Sequence, residues 1–116
     1  MKSITAEEFE LLSFFEVEPQ QSDPGIPWPY NDYSYAVELG SYAVRFGIQP
    51  AYRDLSFTVS HGDEEIYSFS ALSVKDVRYQ KNAQQETLEI IVTDRETLVL
   101  QLRPFVRIVQ RVANDL

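Results

Sequence analysis

The chain has 116 residues, of which 44% are hydrophobic and 13% aromatic, a composition that excludes an intrinsically disordered segment. Its length suits one domain with one core, so residues 1–116 are expected to form a single domain. Eighteen acidic residues against ten basic ones give a formal net charge of −8, which disfavours binding to nucleic acid or to anionic membranes.

Residues 1–15 are predicted to form an N-terminal helix. Thr5 followed three residues later by Glu8 matches a capping box. Apolar side chains then recur at helical spacing at Phe9, Leu12 and Phe15. The segment is acidic where a signal peptide would be basic and then apolar, and the chain contains no cysteine. A cytoplasmic location is therefore the default expectation.

Residues 16–32 contain four prolines and one glycine, which predict a long ordered loop. Two of the prolines flank the only tryptophan, and aromatic side chains on a stiff loop lose little freedom when they bind a partner. The predicted binding residues, at a protein interface or at the rim of a ligand pocket, are Trp28, Tyr30, Asp32 and Tyr33. The alternative is structural, with Trp28 and Tyr30 covering the open end of the fold.

Alternation of apolar and polar residues predicts seven strands within residues 33–102. Their ranges are 33–39, 42–48, 55–60, 65–71, 74–80, 87–93 and 97–102. The predicted core consists of Val37, Val44, Phe46, Phe57, Val59, Phe69, Ile90, Val92, Leu98 and Leu100.

Three tight hairpins connect neighbouring strands, with predicted loops at residues 40–41, 62–64 and 94–96. Each loop places apolar side chains opposite one another on a single face of the sheet. The predicted pairs are Val37 with Val44, Tyr35 with Phe46, Val59 with Tyr67, Phe57 with Phe69, Val92 with Leu98, Ile90 with Leu100 and Leu88 with Leu102.

Residues 104–113 are predicted to form a short C-terminal helix that begins at Pro104. Its apolar stripe would consist of Phe105, Ile108, Val109 and Val112. Because β-branched residues lower helix propensity, an eighth strand over 105–112 is the alternative. A helix would also bring Arg103, Arg107 and Arg111 close together, where they could pair with acidic side chains or with an anionic ligand.

The expected fold class is mainly β, an antiparallel seven-stranded barrel over residues 33–102 between an N-terminal and a short C-terminal helix. Seven sequential strands closed by a C-terminal helix resemble the element order of a pleckstrin-homology roll, in architecture and not in any sequence motif. A cupin-like or jelly-roll barrel is the second choice, since it fits the strand count nearly as well.

Neither catalytic residues nor a metal or cofactor site is predicted. The only histidine, His61, lies at a predicted hairpin tip. A histidine there is more commonly an exposed turn residue than a catalytic base or a metal ligand. The chain also lacks a P-loop, a dinucleotide-binding glycine pattern and a nucleophile elbow. The residues favour a non-catalytic protein over an enzyme.

The function predicted from sequence is a protein-interaction module of the cytoplasm, which binds another protein or a second copy of itself. Small acidic domains of this kind include immunity-type inhibitors that neutralise basic toxins. The alternative is a small-molecule-binding barrel, which could be an enzyme, with an interior pocket lined by Tyr35, Tyr42, Phe46, Phe57 and Tyr67. An interaction module should have a filled core and an exposed aromatic patch, whereas a pocket protein should have a concave apolar cavity.

Overall fold

The alternation of apolar and polar residues from Tyr33 onward produces strands, as the sequence predicts. A computed structural model describes residues 3–113; residues 1–2 of the predicted N-terminal helix and residues 114–116 of the predicted domain lie outside it. Its elements, in chain order, are α1 Glu8–Phe15, β1 Gln20–Gln21, β2 Tyr33–Leu39, β3 Tyr42–Gln49, β4 Asp54–His61, β5 Glu64–Ala71, β6 Asp76–Lys81, β7 Glu86–Ile91, β8 Glu96–Gln101 and β9 Arg107–Val112.

The strands form two antiparallel sheets. The first sheet has the order β1-β2-β3-β4-β5, and the second has the order β6-β7-β8-β9. The mainly β class is confirmed, but the predicted seven-stranded barrel is wrong because the sheets are not closed into a barrel. The chain leaves the first sheet after β5 and β6 pairs only with β7, so the ladder is interrupted there. The pleckstrin-homology-like and jelly-roll arrangements are not confirmed.

The two hairpins of the first sheet have the predicted pairs. Val37 lies opposite Val44 across the turn at Gly40 and Ser41, and Val59 lies opposite Tyr67. The second loop is shorter than predicted, since His61 pairs with Glu64 and the register shifts between Val59 and Ser60. Both turns begin with a glycine at positive φ, 66° at Gly40 and 61° at Gly62, as the preferred two-residue turns require.

The predicted register of the third hairpin is wrong by two residues. Ile90 lies opposite Leu98, and Leu88 lies opposite Leu100. The turn is fixed by Thr93, whose Oγ1 accepts hydrogen bonds from the backbone N–H groups of Arg95 and Glu96, each at 3.1 Å. Because the shift is an even number of residues, the apolar side chains still face the core.

The predicted C-terminal helix over 104–113 is also wrong, and the alternative of a further strand is confirmed. Strand β9 pairs with β8 over six residues, with Val99 opposite Val109 and Leu100 opposite Ile108. The β-branched side chains that fit a helix poorly fit a pleated sheet well. The edge of β8 therefore determines the structure of a segment whose sequence suits either conformation.

The helix begins later than predicted, and the predicted capping box of Thr5 and Glu8 does not form. The Glu10 carboxylate instead accepts the backbone N–H of Glu7 at 3.0 Å. Thr5 donates its backbone N–H and its hydroxyl to Asp76 of β6, at 2.8 and 2.5 Å. The buried face of α1 consists of Leu11, Phe14 and Phe15, whereas Phe9 and Leu12, predicted to belong to it, are exposed.

The inner faces of both sheets and one face of α1 form one hydrophobic core. Eight of the ten predicted core residues are buried, and the other two, Phe69 and Val92, are partly buried against it. The Phe15 ring packs on the first sheet, 4.4 Å from the ring of Tyr35 and 4.9 Å from that of Phe46, whereas the Phe14 ring lies 6.4 Å from Tyr79 of the second sheet. The one helix found within residues 3–113 is too short to cross a bilayer.

Candidate protein-binding site

The proline-rich loop is ordered around a buried side chain, Asn31, which is 2% exposed. The Asn31 Oδ1 accepts the backbone N–H of Asp32 at 2.8 Å and that of Asp23 at 3.3 Å. Its Nδ2 donates to the backbone carbonyl of Asp23 at 2.7 Å. A single amide therefore closes the loop on itself, because it satisfies donors and acceptors at both of its ends.

Trp28 lies on the inner side of this loop. It is half-buried against the core, and its ring centroid lies 4.8 Å from that of Tyr33. Tyr33 is buried, and this burial, together with the nearby Glu8 carboxylate, raises the pKa of its phenol. Trp28 and Tyr33 thus form one aromatic contact that covers the end of the core.

Tyr30 lies on the outer side of the same loop and is 69% exposed. The loop is attached to the β3–β4 turn by a hydrogen bond of 3.1 Å from the Ala51 N–H to the Pro29 carbonyl. That turn carries a second exposed aromatic, Tyr52. Two tyrosines from segments distant in sequence therefore project from adjoining loops.

The segment after β5 joins the same end of the molecule. The Asp54 carboxylate accepts the N–H of Ser73 at 2.8 Å, and the Arg53 carbonyl accepts the N–H of Val74 at 2.9 Å. These bonds hold Leu72, which is 79% exposed, beside the β3–β4 turn. We name the residues that reach the surface at this end the loop-end surface, which consists of the exposed Tyr30, Asp32, Tyr52 and Leu72 and the partly buried Asp54.

A groove of about 320 Å³ runs along the first sheet at this end. Asp32, Asp54 and Leu72 of the loop-end surface all line it. Part of its lining comes from Gly47, Ser56 and Ser70, which are neighbours across β3, β4 and β5. Because these side chains are small, another molecule can approach the sheet closely between the two aspartates.

Charge is distributed unevenly between the two parts of the chain. Residues 3–71, which include α1 and the first sheet, carry twelve acidic side chains and only two basic ones. Residues 72–113, which include the second sheet, carry five acidic and seven basic ones. The loop-end surface therefore belongs to the acidic part of the chain.

The four predicted binding residues differ in where they lie. Tyr30 and Asp32 are exposed, whereas Trp28 is half-buried and Tyr33 is buried beneath it. Tyr52, Asp54 and Leu72 were not predicted as binding residues, because their partners on this surface are distant in sequence. A tyrosine two residues after Pro50, between two strands, is the signal that could have identified Tyr52 as a turn aromatic.

The interior pocket proposed as the alternative is occupied by packed rings. Tyr35, Phe46 and Phe57 are each 1% exposed, and the rings of Phe57 and Tyr67 are 5.7 Å apart. Tyr42, also predicted to line the pocket, lies at the opposite end of the sheet and is partly exposed beside the His61 ring, at 4.8 Å. Among residues 3–113, no group of three or more histidine or carboxylate side chains could hold a metal ion.

No known protein family and no curated protein matches this sequence. The fold matches a chain of a solved structure described as "Contact-dependent growth inhibition toxin - immunity protein complex from Klebsiella pneumoniae 342". The TM-score is 0.77 at 21% sequence identity, and the match covers 97% of this chain and 100% of the other. The two chains therefore share a fold over nearly their whole lengths.

Proposed function

We propose that this chain is an immunity-type protein, which binds a positively charged toxin domain and blocks its action by covering it. The observation that carries the proposal is the acidic loop-end surface, where exposed tyrosines lie beside Asp32 and the partly buried Asp54. The fold likeness to a chain of a toxin–immunity complex supports the same class of function.

Charge favours the immunity component over the toxin component. A toxin domain that acts on nucleic acid needs a basic surface to bind phosphates. The twelve acidic residues within 3–71 produce the opposite field, which would repel that substrate and attract the domain that binds it. An acidic inhibitor of this kind gains its association rate from long-range attraction.

The chemistry of the loop-end surface suits arginine and lysine side chains of such a partner. Asp32 and Asp54 can each accept charge-assisted hydrogen bonds from a guanidinium. The exposed rings of Tyr30 and Tyr52 can stack on cationic side chains. Leu72, beside them, supplies apolar area that excludes water from these contacts.

The test begins with affinity capture from the native cell extract and identification of the captured protein by mass spectrometry. The captured protein is then expressed in a host with and without this chain. We expect growth arrest when it is expressed alone and normal growth when the two are co-expressed. A captured protein that leaves growth unaffected, or that still arrests growth beside this chain, contradicts the proposal.

Variants then test the site. Tyr30→Ala combined with Tyr52→Ala should weaken protection, because two exposed aromatic anchors are removed. Phe105→Ala is the matched control, since Phe105 is 60% exposed but precedes β9 in the second sheet. Equal loss of protection in both variants would place the binding surface elsewhere.

A further inference from the structure

The outer face of the second sheet contains a small polar cavity of about 70 Å³. It lies over β7, β8 and β9, away from the loop-end surface. Its lining residues are Gln85, Thr87, Val99, Gln101, Arg107, Val109 and Arg111. The valines supply an apolar floor, and the other five side chains all carry hydrogen-bond donors.

Two arginines of this cavity lack an acidic partner. Arg107 and Arg111 are four residues apart on β9, so both belong to the outer face. Within residues 3–113, neither guanidinium forms an ion pair. Glu89 lies on the same face but is not among the residues that line the cavity.

Arg103, which a helix would have placed beside these two, is bound elsewhere. Its guanidinium donates to the carbonyls of Phe14 and Phe15 and lies 3.3 Å from the Glu16 carboxylate. The strand conformation of β9 thus separates Arg103, which binds the end of α1, from two arginines that form no ion pair within residues 3–113.

The polar groups beside these arginines are largely removed from water. Thr87 is 8% exposed and Gln101 is 6% exposed, although both face outward on their strands. Gln101 lies opposite Arg107, and Thr87 immediately precedes Leu88, which lies opposite Leu100. A hydroxyl, an amide and a guanidinium therefore form one row along the cavity, and Arg111 contributes a second cation.

We propose that this cavity binds a single phosphate-class oxyanion, either free phosphate or the phosphate group of a small phosphomonoester. Arginine matches the edge of such an anion with two parallel hydrogen bonds. The Thr87 hydroxyl can donate to a remaining oxygen, and so can the second N–H of the Gln101 amide, whose Nε2 also donates to the Phe105 carbonyl at 3.5 Å. The volume of about 70 Å³ exceeds the ~10–15 Å³ that a cavity needs to hold one water, so a small anion can enter.

The net charge of −8 does not prevent this binding. Residues 72–113 have an excess of two basic side chains, so the local balance is positive. At physiological ionic strength the Debye length is about 8 Å, so acidic groups on α1 and the first sheet are largely screened from this cavity. The affinity should fall as salt is added, because both arginines are exposed to solvent.

The test is a titration of the full chain with inorganic phosphate, in which NMR measures the amide chemical shifts. Sodium chloride holds the ionic strength constant. We expect saturable shifts confined to β7, β8 and β9. Arg107→Gln and Arg111→Gln should each weaken phosphate binding about tenfold or more. Arg78→Gln is the matched control, because Arg78 faces outward on the same sheet but pairs with Asp76 at 3.1 Å; binding should change less than twofold.

A second titration with glycerol phosphate identifies the source of the anion, because a phosphomonoester that binds more tightly than phosphate points to an organic ligand. Either order of affinity supports the site. The proposal is overturned if neither ligand gives saturable shifts on folded protein, if chloride alone reproduces them, or if Arg78→Gln reduces binding as much as Arg107→Gln. Because neither titration uses a protein partner, its result does not depend on the proposed immunity function.

Discussion

Neighbouring aromatic residues of the proline-rich loop have different surroundings. The sequence predicts Trp28 and Tyr30 in the proline-rich loop and Tyr33 at the start of the next strand, and Tyr33 is the first residue of β2. The sequence does not indicate which ring faces inward, because that depends on Asn31 and on the hydrogen bond to Ala51. Only the closed loop assigns Trp28 to the core and Tyr30 to solvent.

Single substitutions should separate these two roles. Trp28→Ala should lower the free energy of unfolding by about 2–4 kcal/mol, because it removes a half-buried ring that packs on Tyr33. Tyr30→Ala should change stability by less than about 0.5 kcal/mol yet weaken binding to the captured partner by about 1–2 kcal/mol. Urea denaturation and calorimetric titration measure the two quantities. Loss of stability in Tyr30→Ala would show that this ring packs on the core.

Asp76 should make stability depend on pH. Burial, the largest contribution, raises the pKa of this carboxyl, but hydrogen bonds from Thr5, Arg78 and the Val77 N–H together lower it below its ordinary value. Its pKa is thus lower in the folded than in the unfolded chain. The carboxylate therefore stabilises the fold above about pH 4, and this contribution is lost as the pH falls through the folded-state pKa.

Asp76→Asn should consequently be less stable than the parent at pH 7, and the difference should shrink below about pH 4. Urea denaturation at pH 7 and pH 3 measures this change. Asp63→Asn, at an exposed turn, is the control and should change stability by less than about 0.5 kcal/mol at pH 7. A stability difference for Asp76→Asn that is the same at both pH values contradicts the assignment.

At the scale of elements, the sequence predicts strands better than it predicts their ends or partners. The two hairpins with glycine turns have the predicted pairs, because glycine at positive φ fixes the loop. The third hairpin lacks glycine, and its register depends on hydrogen bonds to Thr93 Oγ1. The sequence favours a helix over β9 because its apolar residues follow helical spacing, but its β-branched residues suit a strand and pairing with β8 decides for the strand.

Arg103 offers a test of how α1 is held. Its guanidinium donates to the carbonyls of Phe14 and Phe15, which the last turn of a helix leaves without intrahelical partners. Arg103→Met should therefore lower the free energy of unfolding by about 1–3 kcal/mol. Arg107→Met, four residues later, should cost less than about 0.5 kcal/mol. Similar losses in both variants, measured by thermal denaturation, would mean that Arg103 has no special role.

At the scale of the whole molecule, the alternation of apolar and polar residues correctly indicated a mainly β fold, whereas the division into two sheets was not predictable from local patterns. Strand alternation specifies which face of each strand is buried, but it does not specify whether β5 pairs with β6. The same division separates charge, because α1 and the first sheet are acidic while the second sheet has an excess of basic residues. The net charge of −8 therefore conceals a strongly acidic first part of the chain and a slightly basic second part.

This uneven charge should govern association with the captured partner. Asp32→Asn combined with Asp54→Asn removes two charges from the loop-end surface while it keeps acceptor oxygens for Ser22 and Ser73. We expect a slower association rate and a weaker dependence of that rate on salt, because fewer charges steer the encounter. Glu89→Gln, on the outer face of the second sheet, should leave both quantities nearly unchanged. Stopped-flow mixing at about 0.05 and 0.5 M salt measures the association rate and its salt dependence. If Glu89→Gln slows association as much as the double aspartate variant does, the partner responds to total charge and not to the loop-end surface.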